Sequence, residues 1–301
     1  MRIILETNSH MNVHLHNVNL NSSSGPNSFG QKLIKYMSEL GVEFDRRGSA
    51  DANLCFISSP RDYSRLFQRL DGIYFNTDFD YDSQNTPILN TYKNAYGAIF
   101  QSNFNKRLVT SFFGKHSHSV VIHNGADLDT ISNVQPAEIS CEGDVWCCCS
   151  SWRPHKRLDE NVRYFLEHSS SGDLLVVAGN TDNKVDDSRI IYVGNRSQNE
   201  LYSIYKSSKY FLHLAWLDHC PNVVCDARGC GCQIICSSSG GTQEIAGDDA
   251  IIIEEDEWDF KPVKLYNPPA LDFSRKIINK NSLSSNDMSH VAKLYTDFMR
   301  L

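Results

Sequence analysis

Asp218 and Asp226 stand eight positions apart, separated by the loop residues His219 and Cys220 and then Pro221-Asn222-Val223. Proline is favoured in a helix's first turn, where no backbone donor is lost. A helix opening near Pro221 leaves the amides of Asn222 and Val223 without intrahelical acceptors, which makes a seat for a phosphate. Asp226 lies one turn past Asn222 and shares its face, where a carboxylate can accept hydrogen bonds from two vicinal hydroxyls such as those of a ribose. After one more apolar run, Gly240-Gly241-Thr242 opens a second helix with free amides and a backbone that a ligand can approach closely. Taken singly, these are a loop acid, a solvated helix acid and two ordinary turns. Together, across two consecutive strand-to-helix connections, they make a nucleotide site.

A second cluster, Ser150-Ser151-Trp152-Arg153-Pro154-His155-Lys156-Arg157, follows the apolar run Val145–Cys149. Arg153 and Lys156 on a strand-to-helix loop can grip a diphosphate from two sides. Basic charge at a helix start opposes the helix dipole, so stability alone explains the cluster poorly.

These segments resemble the nucleotide-sugar motif of the retaining glycosyltransferases of family 4, two acids separated by seven residues, then an apolar strand and a GG-x-x-E turn. Here the acids are Asp218 and Asp226, the strand is Gln233–Cys236 and the turn is Gly240-Gly241-Thr242-Gln243-Glu244. The resemblance implies the GT-B architecture, two Rossmann-like α/β domains facing each other across a cleft. It implies that Asp226 binds the ribose, that Asp218 lies by the donor sugar, and that Arg153 and Lys156 neutralise the leaving diphosphate. The family usually carries glutamate at both acid positions, and aspartate is one methylene shorter, so the backbone must sit closer to the ligand. Gly25-Pro26-Asn27 resembles the family's glycine loop facing the donor phosphates, and Asn195-Arg196 falls where the base is held. Further similar segments are Arg69–Tyr74, Gln101-Ser102 with Phe104, and Val121–Asp127, so the likeness runs from about Gly25 to Glu254. Asp71 and Asp78 are the candidate acceptor contacts.

The reaction implied is transfer from a nucleoside diphosphate sugar, UDP- or GDP-linked, to a hydroxyl acceptor such as a glycan, with retention. No cofactor is implied. The departing phosphate would deprotonate the acceptor, and a metal is not expected. The Asp-x-Asp strings at Asp78, Asp80 and Asp82 and at Asp127 and Asp129 lie on the acceptor side and near the linker, where they read as loop acids. Two other readings stay open: a nucleotide-sugar-binding protein of the same fold with weak or no transfer, and a sugar-nucleotide epimerase. A dehydrogenase fits poorly, because no GxGxxG follows the first apolar run.

The elements that must position these residues alternate along the chain. Strands are expected at Ile3–Leu5, Leu54–Ile57, Gly72–Asn76, Ala98–Gln101 and Ser119–Ile122, with helices over Phe29–Leu40, Pro87–Tyr96 and Phe104–Phe113. The aperiodic stretch Asp129–Gly143 reads as a linker, dividing an acceptor-side domain (1–130) from a donor domain (140–284). Beyond it come strands at Val145–Cys149, Leu174–Ala178, Ile190–Val193, Tyr210–Leu214, Gln233–Cys236 and Ala250–Ile253. Helices over Leu158–His168, Gln198–Ser207 and Asn222–Cys230, with a short one near Thr242, alternate with them. An amphipathic helix over Ser285–Leu301 is placed to pack back on the first domain.

The chain has 301 residues and a net charge of −7, enough length for two modest domains. It carries no dense Lys/Arg stripe, which argues against nucleic acid as a partner. No apolar run approaches a membrane span, and the start reads as a buried strand rather than a leader, so a cytoplasmic protein is expected. Peripheral membrane association is compatible with the family. The ten cysteines show no paired CxxC spacing. Cys147, Cys148 and Cys149 alternate faces of a strand and cannot share one metal, so reduced, buried thiols are expected.

Overall fold

The computed structural model describes residues 10–22, 24–44, 50–280 and 286–301. Two parallel sheets dominate it. The first carries β1 (Met11–His16), β2 (Val42–Phe44), β3 (Ala52–Phe56), β4 (Leu66–Leu70), β5 (Gly97–Phe100) and β6 (Ser119–Val121), in the order β2-β1-β3-β4-β5-β6. Its helices are α1 (Gly25–Glu39), α2 (Tyr81–Asn94), α3 (Asn103–Phe113) and α4 (Leu128–Asn133).

The second sheet is built from β7 (Val145–Cys149), β8 (Leu174–Ala178), β9 (Ile190–Gly194), β10 (Tyr210–His213), β11 (Gln233–Ser237), β12 (Ile251–Ile253) and β13 (Lys276–Ile278). Its order is β13-β12-β11-β10-β7-β8-β9, and only β13 runs antiparallel. The connecting helices are α5 (Leu158–His168), α6 (Gln198–Lys206), α7 (Asn222–Gly229) and α8 (Thr242–Ile245). The chain then returns as α9 (Met288–Arg300), whose Met288, Val291, Ala292, Tyr295 and Met299 join the core of the first sheet.

Strand order reverses between β1 and β3 in one sheet and between β7 and β10 in the other. Open parallel sheets bind ligands outside the carboxyl ends of the strands at such points. The loops leaving β7 and β10 hold Arg153 and Lys156 and the run from Asp218 to Asn222.

Several sequence expectations are corrected. The strand expected at Gly72–Asn76 is absent; pairing ends at Leu70, and the chain turns at Gly72, whose φ of +138° breaks the extended run. Residues beyond the turn are held by a side chain instead: Asn85 accepts from the Tyr74 amide at 2.8 Å and donates to its carbonyl at 2.6 Å. The helix expected from Pro87 begins six residues earlier, at Tyr81, because Asp80 caps it by accepting from the Ser83 amide at 3.0 Å. The stretch read as a linker opens with α4, capped by Asp127. Ile3–Leu5 lies outside the described residues. The first described strand is β1, whose alternation of apolar residues with Asn12, His14 and His16 hid it.

The cysteines are free, and Cys147 and Cys149 pack into one core of the second domain while Cys148 packs into the other. Among the described residues, no helix is long and apolar enough to cross a membrane.

Candidate functional site

A cleft of about 1260 Å³ lies between the two sheets. Gly25, Pro26, Asp71, Arg153, Lys156, Asn195, Arg196, Asp218, His219, Cys220, Pro221, Asn222, Val223 and Asp226 all line it. Asn27, Asp78, Gly241 and Thr242 do not.

The start of α7 faces the cleft without a cap. Pro221 is its N-cap residue and offers no side-chain acceptor, and the amides of Asn222 and Val223 donate to no described group. The amides of Val224 and Cys225 already turn back to the Pro221 carbonyl, at 3.1 and 3.4 Å. Two N–H groups and the positive end of the helix dipole therefore point at open space. The Asn222 side chain reaches across the cleft and donates to the Gly25 carbonyl at 2.8 Å, holding the first turn of α1 against α7.

Asp218 is heavily engaged. One oxygen accepts from Lys156 Nζ at 2.5 Å and His213 Nε2 at 2.8 Å, and the other accepts from the His219 amide at 3.0 Å. Burial would raise this carboxyl, but the Lys156 ammonium and the His213 hydrogen bond outweigh it and hold it well below the usual carboxylate range. His213 is itself pushed down by burial, against the pull of Asp218. Arg153 differs: its guanidinium has no hydrogen-bond or ion-pair partner among the described residues, and it is exposed in the cleft wall. Lys156 is a neutralised cation; Arg153 is an available one.

Asp226 is paired across the cleft. Its Oδ1 meets Lys32 Nζ at 2.5 Å, and both side chains are nearly buried. Burial raises the Asp226 carboxyl, and the Lys32 ammonium opposes that rise. The ribose seat expected at Asp226 thus already holds a cation from α1.

The glycine turn works differently from its sequence reading. The Gly241 amide donates to the Asp218 carbonyl at 2.7 Å, and a Cβ on Gly241 would sit 2.0 Å from the His219 carbonyl. Gly240-Gly241 lets two loops cross in contact; it presents no amide to the cleft. Thr242 is buried, and α8 is a single turn. Glu244 points to the other domain, accepting from the Asn103 and Phe104 amides at 2.8 and 2.9 Å and meeting His123 Nε2 at 2.8 Å.

Asn27 belongs to its own loop, accepting from the Asn19 amide at 2.9 Å and donating to Ser24 Oγ at 2.8 Å. Asp78 sits in a turn whose amide donates to Asn76 Oδ1 at 3.1 Å. Asp80 and Asp127, from the Asp-x-Asp strings, are helix caps, and Asp127 also binds Lys35 at 2.8 Å and the Tyr36 hydroxyl at 2.6 Å. Asn195 exchanges hydrogen bonds with Asn180 beside Gly194, whose φ is +68°.

No family model and no curated protein matches the chain by sequence. Solved structures do match. WaaG, a glycosyltransferase involved in lipopolysaccharide biosynthesis, superposes with a TM-score of 0.62 at 11% identity, covering 95% of this chain and 95% of that one. Sucrose-phosphate synthase from Thermosynechococcus elongatus gives 0.60 at 10% identity over 82% and 86%. HepE from Anabaena, solved with UDP and glucose, gives 0.58 at 10% identity over 96% and 89%. The chain has the GT-B fold.

Within this GT-B frame, three residues at the site were assigned no role by the sequence. Lys32 shares its helix face with Phe29, Leu33 and Tyr36, and a lysine inside an apolar stripe is the signal that could have exposed it. Arg69 is buried beneath the GT-B cleft, pairs with Asp71, donates to Asn124 Oδ1 at 2.9 Å, and lies 4.0 Å from the Phe29 ring centroid. It sat inside a motif quoted for its resemblance rather than its charge. His213 ends β10 and had no sequence signal, since histidine on a strand is ordinarily a core residue.

Proposed function

We propose that this protein transfers a sugar from a nucleoside diphosphate sugar to a hydroxyl acceptor, with retention at the anomeric carbon. The observation that carries the reading is the pairing of an unpartnered guanidinium, Arg153, with the uncapped start of α7 in one cleft. A diphosphate needs both parts: backbone donors on one side and a mobile, bidentate cation on the other. The GT-B fold and the UDP-glucose complex of HepE support a nucleotide-sugar donor, UDP- or GDP-linked.

In this reading residues 140–284 form the donor domain and 1–130 the acceptor side, with 285–301 returning to it. Gly25 and Pro26 close over the phosphates, and Asn195 and Arg196 border the base. The amides of Asn222 and Val223 and the Arg153 guanidinium stabilise charge as it builds on the leaving diphosphate. Lys156 is fixed by Asp218, which His213 holds in turn, so its ammonium stands beside this seat without having to reorganise. Asp218, held ionised, faces the developing positive charge at the anomeric carbon. Asp226 receives the ribose hydroxyls once Lys32 yields one oxygen. Domain closure excludes water that would otherwise hydrolyse the donor. Acceptor binding falls to the wall around Asp71, and a glycan hydroxyl suits its polar lining. No metal enters this scheme.

The ion pairs on both acids favour a second reading, a nucleotide-sugar-binding protein that turns over slowly or not at all. A thermal-shift screen of UDP-, GDP- and ADP-sugars, followed by a product assay with labelled donor, tests both. Donor binding with product formed in the starting anomeric configuration supports transfer, and donor binding without product supports the second reading. Absence of any nucleotide binding sinks both.

A further inference from the structure

Exposed large aromatic rings are few among the described residues: Tyr74, Phe79 and Tyr96. Tyr96 lies by the C-terminal residue, its hydroxyl 3.4 Å from the Leu301 carbonyl. The other two both line the cleft, Tyr74 at 47% and Phe79 at 50% exposure. Single exposed apolar groups need no explanation, but two rings opening into one cleft do.

The segments that carry the rings are held in place. Asn85 clamps the Tyr74 backbone at both its amide and its carbonyl. Phe79 meets the ring of Tyr266 edge-on at 5.9 Å, and Tyr266 stacks on His155 at 5.6 Å with a tilt of 13°. His155 lies between Arg153 and Lys156 in the basic loop, so the aromatic wall adjoins the proposed seat of the leaving group. The segment carrying Tyr266 is tied down by backbone pairing: Val263 donates to the Phe75 carbonyl at 2.9 Å, and Thr77 donates to that of Val263 at 3.0 Å.

Two polar atoms of the same cleft wall lack partners among the described residues. Asn76 lines the cleft at 7% exposure; its Oδ1 accepts from the Asp78 and Leu265 amides at 3.1 and 3.2 Å, while its buried Nδ2 donates to no described group. Asp71, also in the cleft wall, pairs with Arg69 and accepts from Gln101 Nε2 through Oδ1, while its buried Oδ2 accepts from no described group. Buried polar atoms in native proteins are almost always satisfied, so an unmet donor and an unmet acceptor together point to a ligand.

An apolar ring face, flanked by one free donor and one free acceptor, matches a pyranose: C–H bonds on its face and hydroxyls at its rim. We propose that Tyr74, Phe79 and Tyr266 form a stacking subsite for the acceptor, that the acceptor is a sugar ring, and that Asn76 Nδ2 and Asp71 Oδ2 hold its hydroxyls. The proposal rests on the transfer reading for its role, although the subsite itself can be measured without turnover.

The test is saturation-transfer NMR on the full chain, with and without UDP. The probes are the methyl α-glycosides of glucose, galactose, mannose and N-acetylglucosamine, with sorbitol as a polyol that has no ring. At least one pyranoside is expected to bind, with transfer strongest at protons on one ring face, and sorbitol is not. Tyr74→Ala and Phe79→Ala, both truncations of half-exposed rings, should each weaken that binding about tenfold while leaving the UDP signal unchanged. Asn76→Asp keeps the Oδ1 acceptor, removes the donor, and should cost about three- to tenfold. Binding by no pyranoside, binding equal to that of sorbitol, or binding unaffected by all three substitutions overturns the subsite. Pyranoside binding that depends on the rings, in a protein that ignores UDP, keeps the subsite and removes the donor reading instead.

Discussion

Lys32 on α1 and Asp226 on α7 meet at 2.5 Å across the cleft, joining the two domains through a nearly buried ion pair. Each partner was placed by a different sheet, and the other charge acting on Asp226, the Asp127 carboxylate, has the same sign and cannot substitute for Lys32. A carboxylate stripped of its ammonium here would be left with burial and the Asp127 charge both disfavouring its ionised form. That has a consequence for stability. Lys32→Met should destabilise the protein by about 3–5 kcal/mol, the usual cost of leaving one buried charge unpaired. The loss should be larger at pH 8 than at pH 5, since the unpaired Asp226 can take up a proton at low pH and escape the penalty. Urea unfolding at the two pH values reads this directly, and Lys32→Met combined with Asp226→Asn should recover most of the loss.

Arg153 and Lys156 should separate in a way their sequence spacing does not suggest. Arg153→Ala is expected to lower turnover by about 10²-fold with no change in melting temperature, because the guanidinium holds no other group in place. Lys156→Ala should lower turnover similarly and also lower the melting temperature, since it strips Asp218 of its counter-ion. Paired kinetic and thermal measurements on both variants check this. Unchanged turnover in Arg153→Ala would remove the diphosphate assignment.

Glu244 provides a contrast with the family resemblance. It binds the first amides of α3 and His123 rather than the cleft. Glu244→Gln should therefore cost about 1–2 kcal/mol through the weakened cap and lost charge, with nucleotide affinity unaltered. Thermal unfolding and a UDP titration on the same sample decide it; a loss of UDP affinity at full stability would return Glu244 to the donor site.

Of the four described histidines held below their ordinary value, His16, His155, His213 and His219, two are depressed most and make the fold sensitive to acid. Burial and the Lys156 charge push His155 down to about 3. Burial pushes His219 down to about 4, with Asp218 opposing and Lys156 assisting. A histidine depressed in the folded state takes its proton more readily when unfolded, so stability falls as pH drops from the unfolded value near 6.5 towards 4. The two together are worth several kcal/mol across that window, at about 1.4 kcal/mol for each pKa unit. Asp226, raised in the fold, acts in the opposite sense and blunts the slope. Denaturant melts from pH 7 to pH 4.5 should show the decline, and His219→Gln should flatten part of it.

Most of the second domain was legible in the sequence because its strands are short, continuous apolar runs ended by glycine or polar residues. Val145–Cys149 and Leu174–Ala178 are expected and observed with the same bounds. The first domain was harder. Met11–His16 alternates apolar residues with histidines, and Leu66–Leu70 contains Gln68 and Arg69, both buried in a strand. A strand of that composition has its apolar run interrupted by buried polar side chains, several of whose donors reach partners outside the strand. Gln68 donates to Ile57 and Ile88 carbonyls, and Arg69 to Tyr295 and Asn124.

By itself the sequence determined that the cleft would be lined by the run from Asp218 to Asp226 and by Arg153 and Lys156. Their spacing around strand ends is a local property, and parallel α/β units turn such loops towards one edge. Only the tertiary structure decided what each group has left to offer. Asp218 is spent on Lys156 and His213, Asp226 on Lys32, and Gly241 on the Asp218 carbonyl, while Arg153 and the first amides of α7 stay open. Hydrogen-bond and ion-pair partners are contributed by whatever the fold brings within about 3 Å, regardless of distance along the chain. Lys32 and Asp226, 194 positions apart, could be joined only by the packing of one domain against the other.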